Sequence, residues 1–168
     1  EPMNQEPRTV AISVNILEQL KKYKKQGMYT VWGEFGEGTV KIGEILKRGV
    51  VFTGRIPLRS IPGIANIKLP GFVEQGCFLN AQELARVASK SGVVYCEGFS
   101  GRPFGGSLHV IEHAWCVYNN QVVDPTLELL EKQFGKPRQP DQYLGIEIPG
   151  EKVLITGRPL TASGVFKI

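Results

Sequence analysis

Residues 112–127 read EHAWCVYNNQVVDPTL, and the reading of this stretch decides the fold. Two short apolar runs flank Asn119-Asn120. Asn tolerates positive φ, so the pair suits a two-residue type I′ turn and the stretch is predicted to be a β-hairpin. Pairing then runs Tyr118–Gln121, Val117–Val122, Cys116–Val123 and Trp115–Asp124. Opposed residues share a face, and so do alternate residues along a strand. His113, Trp115 and Asp124 therefore lie on one face, with Asp124 the diagonal neighbour of His113. Diagonal Cβ atoms lie about 7–8 Å apart or less, near enough for a carboxylate to reach an imidazole. A four-residue turn keeps the same register.

Upstream, Ala81, Leu84, Ala85 and Ala88 recur at i, i+3, i+4 and i+7, so FLNAQELARVASK is predicted to be a helix that buries this stripe. Cys77 lies four residues before Ala81 and falls on the same stripe at the N-terminal end. Free amides and the positive end of the helix dipole favour a thiolate there. Gly76 allows a tight turn into the helix. A thiol at a helix start, with His and Asp side by side on a sheet under that helix, is the arrangement for Cys–His–Asp nucleophilic catalysis. The backbone N–H of Cys77 is the natural first oxyanion donor; the side chain of Gln75 or of Asn80 is the candidate second, with Gln75 preferred.

Outward from this core the chain is mixed. Residues 1–9 carry Pro2 and Pro7 and read as a loose lead-in. A helix over about 13–26 should end at Gly27, with Ile16, Leu17, Leu20 and Tyr23 inward and Lys21, Lys22, Lys24 and Lys25 on a solvated face. MYTVW, TVKIGEIL and GVVFTGRIPL read as short strands, and 59–76 as irregular loop. VVYCEGF is a strand and 101–107 a Gly/Pro loop. Residues 132–142 read as loop, and YLGIEI and KVLITGRPL as closing strands. The expected fold is α+β: one central helix carrying the nucleophile, packed on an antiparallel sheet.

At 168 residues, 42% hydrophobic, the chain is expected to form a single domain. No run approaches the roughly 18 apolar residues of a membrane span. A net charge of +4 is too mild to indicate nucleic acid as a partner. Three cysteines without regular spacing argue against a disulfide framework, and the lack of C-x-x-C argues against a thiolate zinc site. Cys96 and Cys116 are read as core. His109-Val-Ile-Glu112-His113 fits H-x-x-E-H, a zinc-protease pattern that requires a helix; its β-branched residues predict a strand, so neither metal nor cofactor is expected. Trp115 is a candidate wall of the site, or else packing. Glu97 is a candidate to place substrate or His113, or else a solvated edge carboxylate.

GCFLNAQELARVASKSGVVYCEGFSG (76–101) followed by HAWCVYNNQVVDPT (113–126) resembles the core of the transglutaminase-like, papain-like superfamily: Cys at a helix start, a strand ending near Gly, His-Ala-Trp, then Asp-Pro-Thr after a hairpin. The resemblance covers about 74–127; residues 1–70, a lead-in (1–9) and an uncharacterised N-terminal part (10–70), match no region of that family. It implies Cys77 as nucleophile, His113 as base and Asp124 as its orienter, acting on amide bonds of protein or peptide substrates by hydrolysis, deamidation or transamidation. The alternative is a catalytically silent binding module of the same shape. The sequence leaves substrate and oligomeric state open. Location is left open between a soluble cytoplasmic domain and one delivered within a larger protein; small size and a non-Met start would suit the second, such as a bacterial toxin or effector.

Overall fold

Two long strands, Val94–Phe104 (β4) and Ser107–Tyr118 (β5), each buried on both faces over part of its length, pair antiparallel along their whole length around Gly105-Gly106, both at positive φ. The segment expected to be a Gly/Pro loop is thus mostly strand, because the hairpin closes at the Gly-Gly turn. The computed structural model describes residues 15–33, 36–136 and 142–163. The expected lead-in (1–9) and the first residues of the expected first helix lie outside these.

Around β4 and β5 the sheet is completed by Val50–Thr53 (β3), Gln121–Val123 (β6) and Gln142–Pro149 (β7), in the order β3-β7-β4-β5-β6 and antiparallel throughout. Trp32–Gly33 (β1) and Gly36–Glu37 (β2) form a separate small ribbon. The sheet curls until its edges meet: Arg55, just after β3, bridges Val122 of β6, and Ile56 N–H donates to Val122 C=O at 2.8 Å. The concave face encloses Phe52, Cys96, Trp115, Val117, Val122 and Tyr143.

The other face is covered by helices. Cys77–Val87 (α3) lays Ala81, Leu84 and Ala85, all fully buried, on Tyr95, Ala114, Cys116 and Val123; Ala88 follows just beyond the helix, also fully buried. Three alanines let the helix sit close, and the Cys116 thiol donates to Ala81 C=O at 3.2 Å. Ile16–Lys25 (α1) and Ile42–Arg48 (α2) cover the far end of the same face, over Phe99, Leu108, Val110, Leu144 and Ile146. The four α1 lysines are exposed. TVKIGEIL, expected to be a strand, therefore contains a helix. Its Ile42 and Ile45 lie three apart and bury together on the sheet, which outweighs their β-branched preference.

Pro125–Phe134 (α4) also departs from the expectation of hairpin followed by loop. Its signals were present: Asp124 as N-cap, Pro125 at the first position, and Gly135 at φ 67 as terminator. KVLITGRPL is not a strand. The N–H groups of Thr156, Gly157 and Leu160 donate to the buried side chains of Gln82 and Glu97 rather than to a neighbouring strand. Among the described residues no helix is long and apolar enough to cross a membrane.

Candidate active site

The hairpin turn forms as its sequence dictates. Asn119 and Asn120 have φ of 50° and 60°, and the ladder runs Tyr118–Gln121, Val117–Val122, Cys116–Val123. The expected fourth pair is replaced by a cap: Asp124 leaves the strand and starts α4, its Oδ1 accepting from Leu127 N–H at 3.0 Å. Its other oxygen, Oδ2, lies 2.6 Å from His113 Nε2. The acceptor is a carboxylate, so Nε2 carries the hydrogen. Nδ1 is then the ring nitrogen not engaged by Asp124, and Cys77 is near enough to the ring to favour its protonated form.

Helix α3 and His113 belong to opposite faces of the sheet. His113 alternates with Ala114, which lies under the helix, and shares the concave face with Trp115. The helix packs on the expected sheet, but on the face opposite His113. They meet because β6 ends at Val123, opposite Cys116, so β5 has no strand on that side at His113. The first turns of α3 and α4 come together at this gap. Asn80 in α3 donates to Thr126 Oγ1 in α4 at 2.9 Å, and so ties the helix that starts at Cys77 to the helix that starts after Asp124.

Burial disfavours charge on His113, but the adjacent carboxylate of Asp124, its hydrogen bond and the nearby Cys77 outweigh it; the imidazole is held protonated well above its ordinary range. Burial likewise opposes charge on Asp124. His113, the Leu127 N–H and the Tyr143 hydroxyl at 3.0 Å outweigh that, so its carboxyl ionises below its usual range. Burial pushes the thiols of Cys96 and Cys116 well up, whereas Cys77 is partly exposed.

The remaining candidates separate. Gln75 is exposed two residues before the thiol, in the left-handed region at φ 60°, a strained conformation for a non-glycine residue. Gly76 caps α3 without a side-chain hydrogen bond, and a Cβ there would fall 2.4 Å from Val73 Cγ2. Asn80 is fully buried. Its amide donates to Val73 C=O (2.7 Å) and Thr126, and its oxygen accepts from Val73 N–H (2.9 Å). Both amide hydrogens are committed, so Asn80 holds the loop before Cys77 and has none for a substrate oxygen.

Trp115 stacks on His113 at 6.1 Å and 21°, as its shared face predicts. It is fully buried, so it backs the imidazole and has no surface for substrate. Its Cη2 lies 2.6 Å from where a Cβ of Gly145 would be, so only glycine admits the indole there. Glu97 is neither a solvated edge group nor a neighbour of His113. It is fully buried on the helix-covered face, accepting from Tyr95 OH (3.1 Å), Leu160 N–H (2.7 Å) and Thr161 Oγ1 (2.9 Å). Burial raises its pKa despite these donors.

The H-x-x-E-H segment is strand β5, as its composition predicts. His109 and His113 share one face, while Glu112 on the other accepts from Val40 N–H; the three do not converge. Among the described residues no group of three or more His, Cys, Asp or Glu is placed to hold a metal ion.

Two neighbours of the site were not legible in the sequence. Tyr143 is in β7, two strands from His113, and its ring lies 4.9 Å from Trp115 and 6.3 Å from His113. Arg55 pairs with Glu131 at 2.6 Å and lies near both Tyr143 and Asp124. Alternation places Tyr143 on a face, but only the strand order brings that face to Asp124. Comparison of the chain with protein-family models, with curated proteins and with solved structures gives no match in any of the three.

Proposed function

We propose that the protein is a cysteine-dependent acyl-transfer enzyme with a transglutaminase-like core, acting on amide bonds of protein or peptide substrates through Cys77, His113 and Asp124. One observation carries this reading: a partly exposed thiol at the first residue of a helix lies near the imidazole that a buried carboxylate holds at 2.6 Å. A His–Asp pair alone is a structural feature. A His–Asp pair that also reaches a thiol at a helix N-terminus is equipped for nucleophilic attack.

In this mechanism Asp124 holds His113 in the tautomer that presents Nδ1 to Cys77 and stabilises the imidazolium. The Cys77 thiolate attacks the amide carbonyl, forming a C–S bond while the carbonyl electrons move to oxygen. The Cys77 N–H, in a first turn without a side-chain cap, is positioned to donate to that oxyanion. The C–N bond then breaks as His113 gives its proton to the leaving nitrogen. Water or an amine, deprotonated by His113, attacks the thioester, the C–S bond breaks and the thiolate returns. Water gives hydrolysis or deamidation; an amine gives a crosslink.

The test is incubation of the protein with a mixed proteome, followed by mass spectrometry, with Cys77→Ala as control. Gln-to-Glu conversion, new isopeptide crosslinks or new termini that require Cys77 support the reading and name the subclass. No Cys77-dependent change would instead indicate a catalytically silent binding module.

A further inference from the structure

We infer that Tyr143 is a positioning residue of this site, a third-strand hydroxyl that holds Asp124 Oδ2 in line with His113 and keeps it ionised. The inference rests on the triad reading and adds a member that does not touch substrate.

The geometry is specific to one oxygen. Oδ1 of Asp124 is committed to the Leu127 N–H at the start of α4. Oδ2 receives both His113 Nε2 (2.6 Å) and the Tyr143 hydroxyl (3.0 Å). The helix cap and the hydroxyl thus fix the carboxylate at both oxygens, and rotation away from the imidazole breaks one bond or the other. Gly145, in register with His113 through Gly98 of β4, carries no side chain on the concave face, and the Trp115 ring lies where its Cβ would be. Trp115 and Tyr143 fill that space with their rings, and both are fully buried.

The charged and titratable groups around Asp124 come from every neighbouring element. His113 faces it from β5 and Tyr143 from β7; Cys116 lies close on β5. Arg55 follows β3, and Glu128 is one turn along α4. Arg55 is paired with Glu131, and Glu128 accepts from Leu58 N–H at 2.8 Å. Tyr143 and His113 are therefore the groups whose hydrogens Oδ2 receives. A hydrogen bond to a charged acceptor is worth enough to move its pKa by about one unit.

The experiment measures the rate of Cys77 alkylation by iodoacetamide against pH, which needs no substrate, on wild type, Tyr143→Phe, and a protein with 3-fluorotyrosine placed at position 143. Phe keeps the ring packing and removes the donor, so Asp124 protonates more readily; the acid limb should move up by about one unit while near-ultraviolet circular dichroism stays unchanged. The fluorinated phenol has the same shape and is a stronger donor, so its limb should move down. Opposite shifts support the inference. Superimposed profiles with fluorotyrosine overturn it even if the Phe variant fails to fold. If wild-type Cys77 shows no dependence on His113 at all, the triad reading falls instead, and that result is separable because it appears in His113→Ala with Tyr143 intact.

Discussion

Asp124 holds His113 with one carboxylate oxygen and starts α4 with the other. A single residue therefore ends the hairpin, begins a helix and orients the imidazole. Its negative charge is favoured three ways: by the helix N-terminus, by the imidazolium and by the Tyr143 hydroxyl.

Cys77 is expected to be the thiol that reacts first. Cys96 and Cys116 are fully buried with raised pKa values, whereas Cys77 is partly exposed. Limited iodoacetamide treatment at neutral pH, with peptide mapping, should find the label on Cys77. Equal labelling of all three, or a preference for Cys116, removes the assignment.

His113→Ala should lower turnover at neutral pH by about 100- to 10,000-fold, the usual weight of a general acid–base group. Asp124→Asn should retain the fold and residual activity, with the alkaline limb of the rate profile moved down, because the carboxylate that raises the His113 pKa is gone. An alkaline limb identical to wild type would show that Asp124 does not set the imidazole's charge.

The same pair governs stability in a defined window. The raised His113 pKa contributes stability that is complete below about pH 6.5 and lost as pH rises through the folded value. The lowered Asp124 pKa contributes stability that is present above about pH 3.9 and lost as pH falls through the folded value. The difference in melting temperature between wild type and Asp124→Asn should thus be largest between about pH 4 and 6.5 and shrink toward alkaline pH. Glu97 and Glu112 titrate in both proteins and cancel, whereas Glu128, raised in part by the Asp124 charge, loses that part in the variant. A difference that grows above pH 8 contradicts the pairing.

Asn80→Ala should destabilise by about 1–3 kcal/mol, since it leaves the Val73 amide groups and the Thr126 hydroxyl without a buried partner. Urea denaturation of Asn80→Ala, Thr126→Val and the double variant measures the coupling between α3 and α4. Strict additivity would mean that the two helices are held by other contacts.

Gln75→Gly should raise stability by about 1 kcal/mol, because glycine adopts φ 60° without the strain of a side chain. If the side chain supplies the second oxyanion donor, the same change should lower kcat by about 100- to 1,000-fold. A gain in stability with unchanged kcat would leave Gln75 as a turn residue and remove it from the site.

The sequence alone determined the pieces whose information is local. Asn119-Asn120 specifies a turn with both residues at positive φ, and that turn fixes the register carrying Asp124 to His113. The spacing of Ala81, Leu84, Ala85 and Ala88 specifies the buried stripe of α3. Both follow from side-chain geometry within a few residues. The tertiary structure decided what depends on partners far along the chain. Ile42 and Ile45 form a helix because the sheet offers a surface for one helix face. KVLITGRPL stays out of the sheet because Gln82 and Glu97, more than 60 positions earlier, take its amide hydrogens. Tyr143 reaches Asp124 because β7 lies beside β4, a strand order that sequence periodicity does not encode. Alternation says which face a residue takes; only the packing of distant strands and helices says what that face meets.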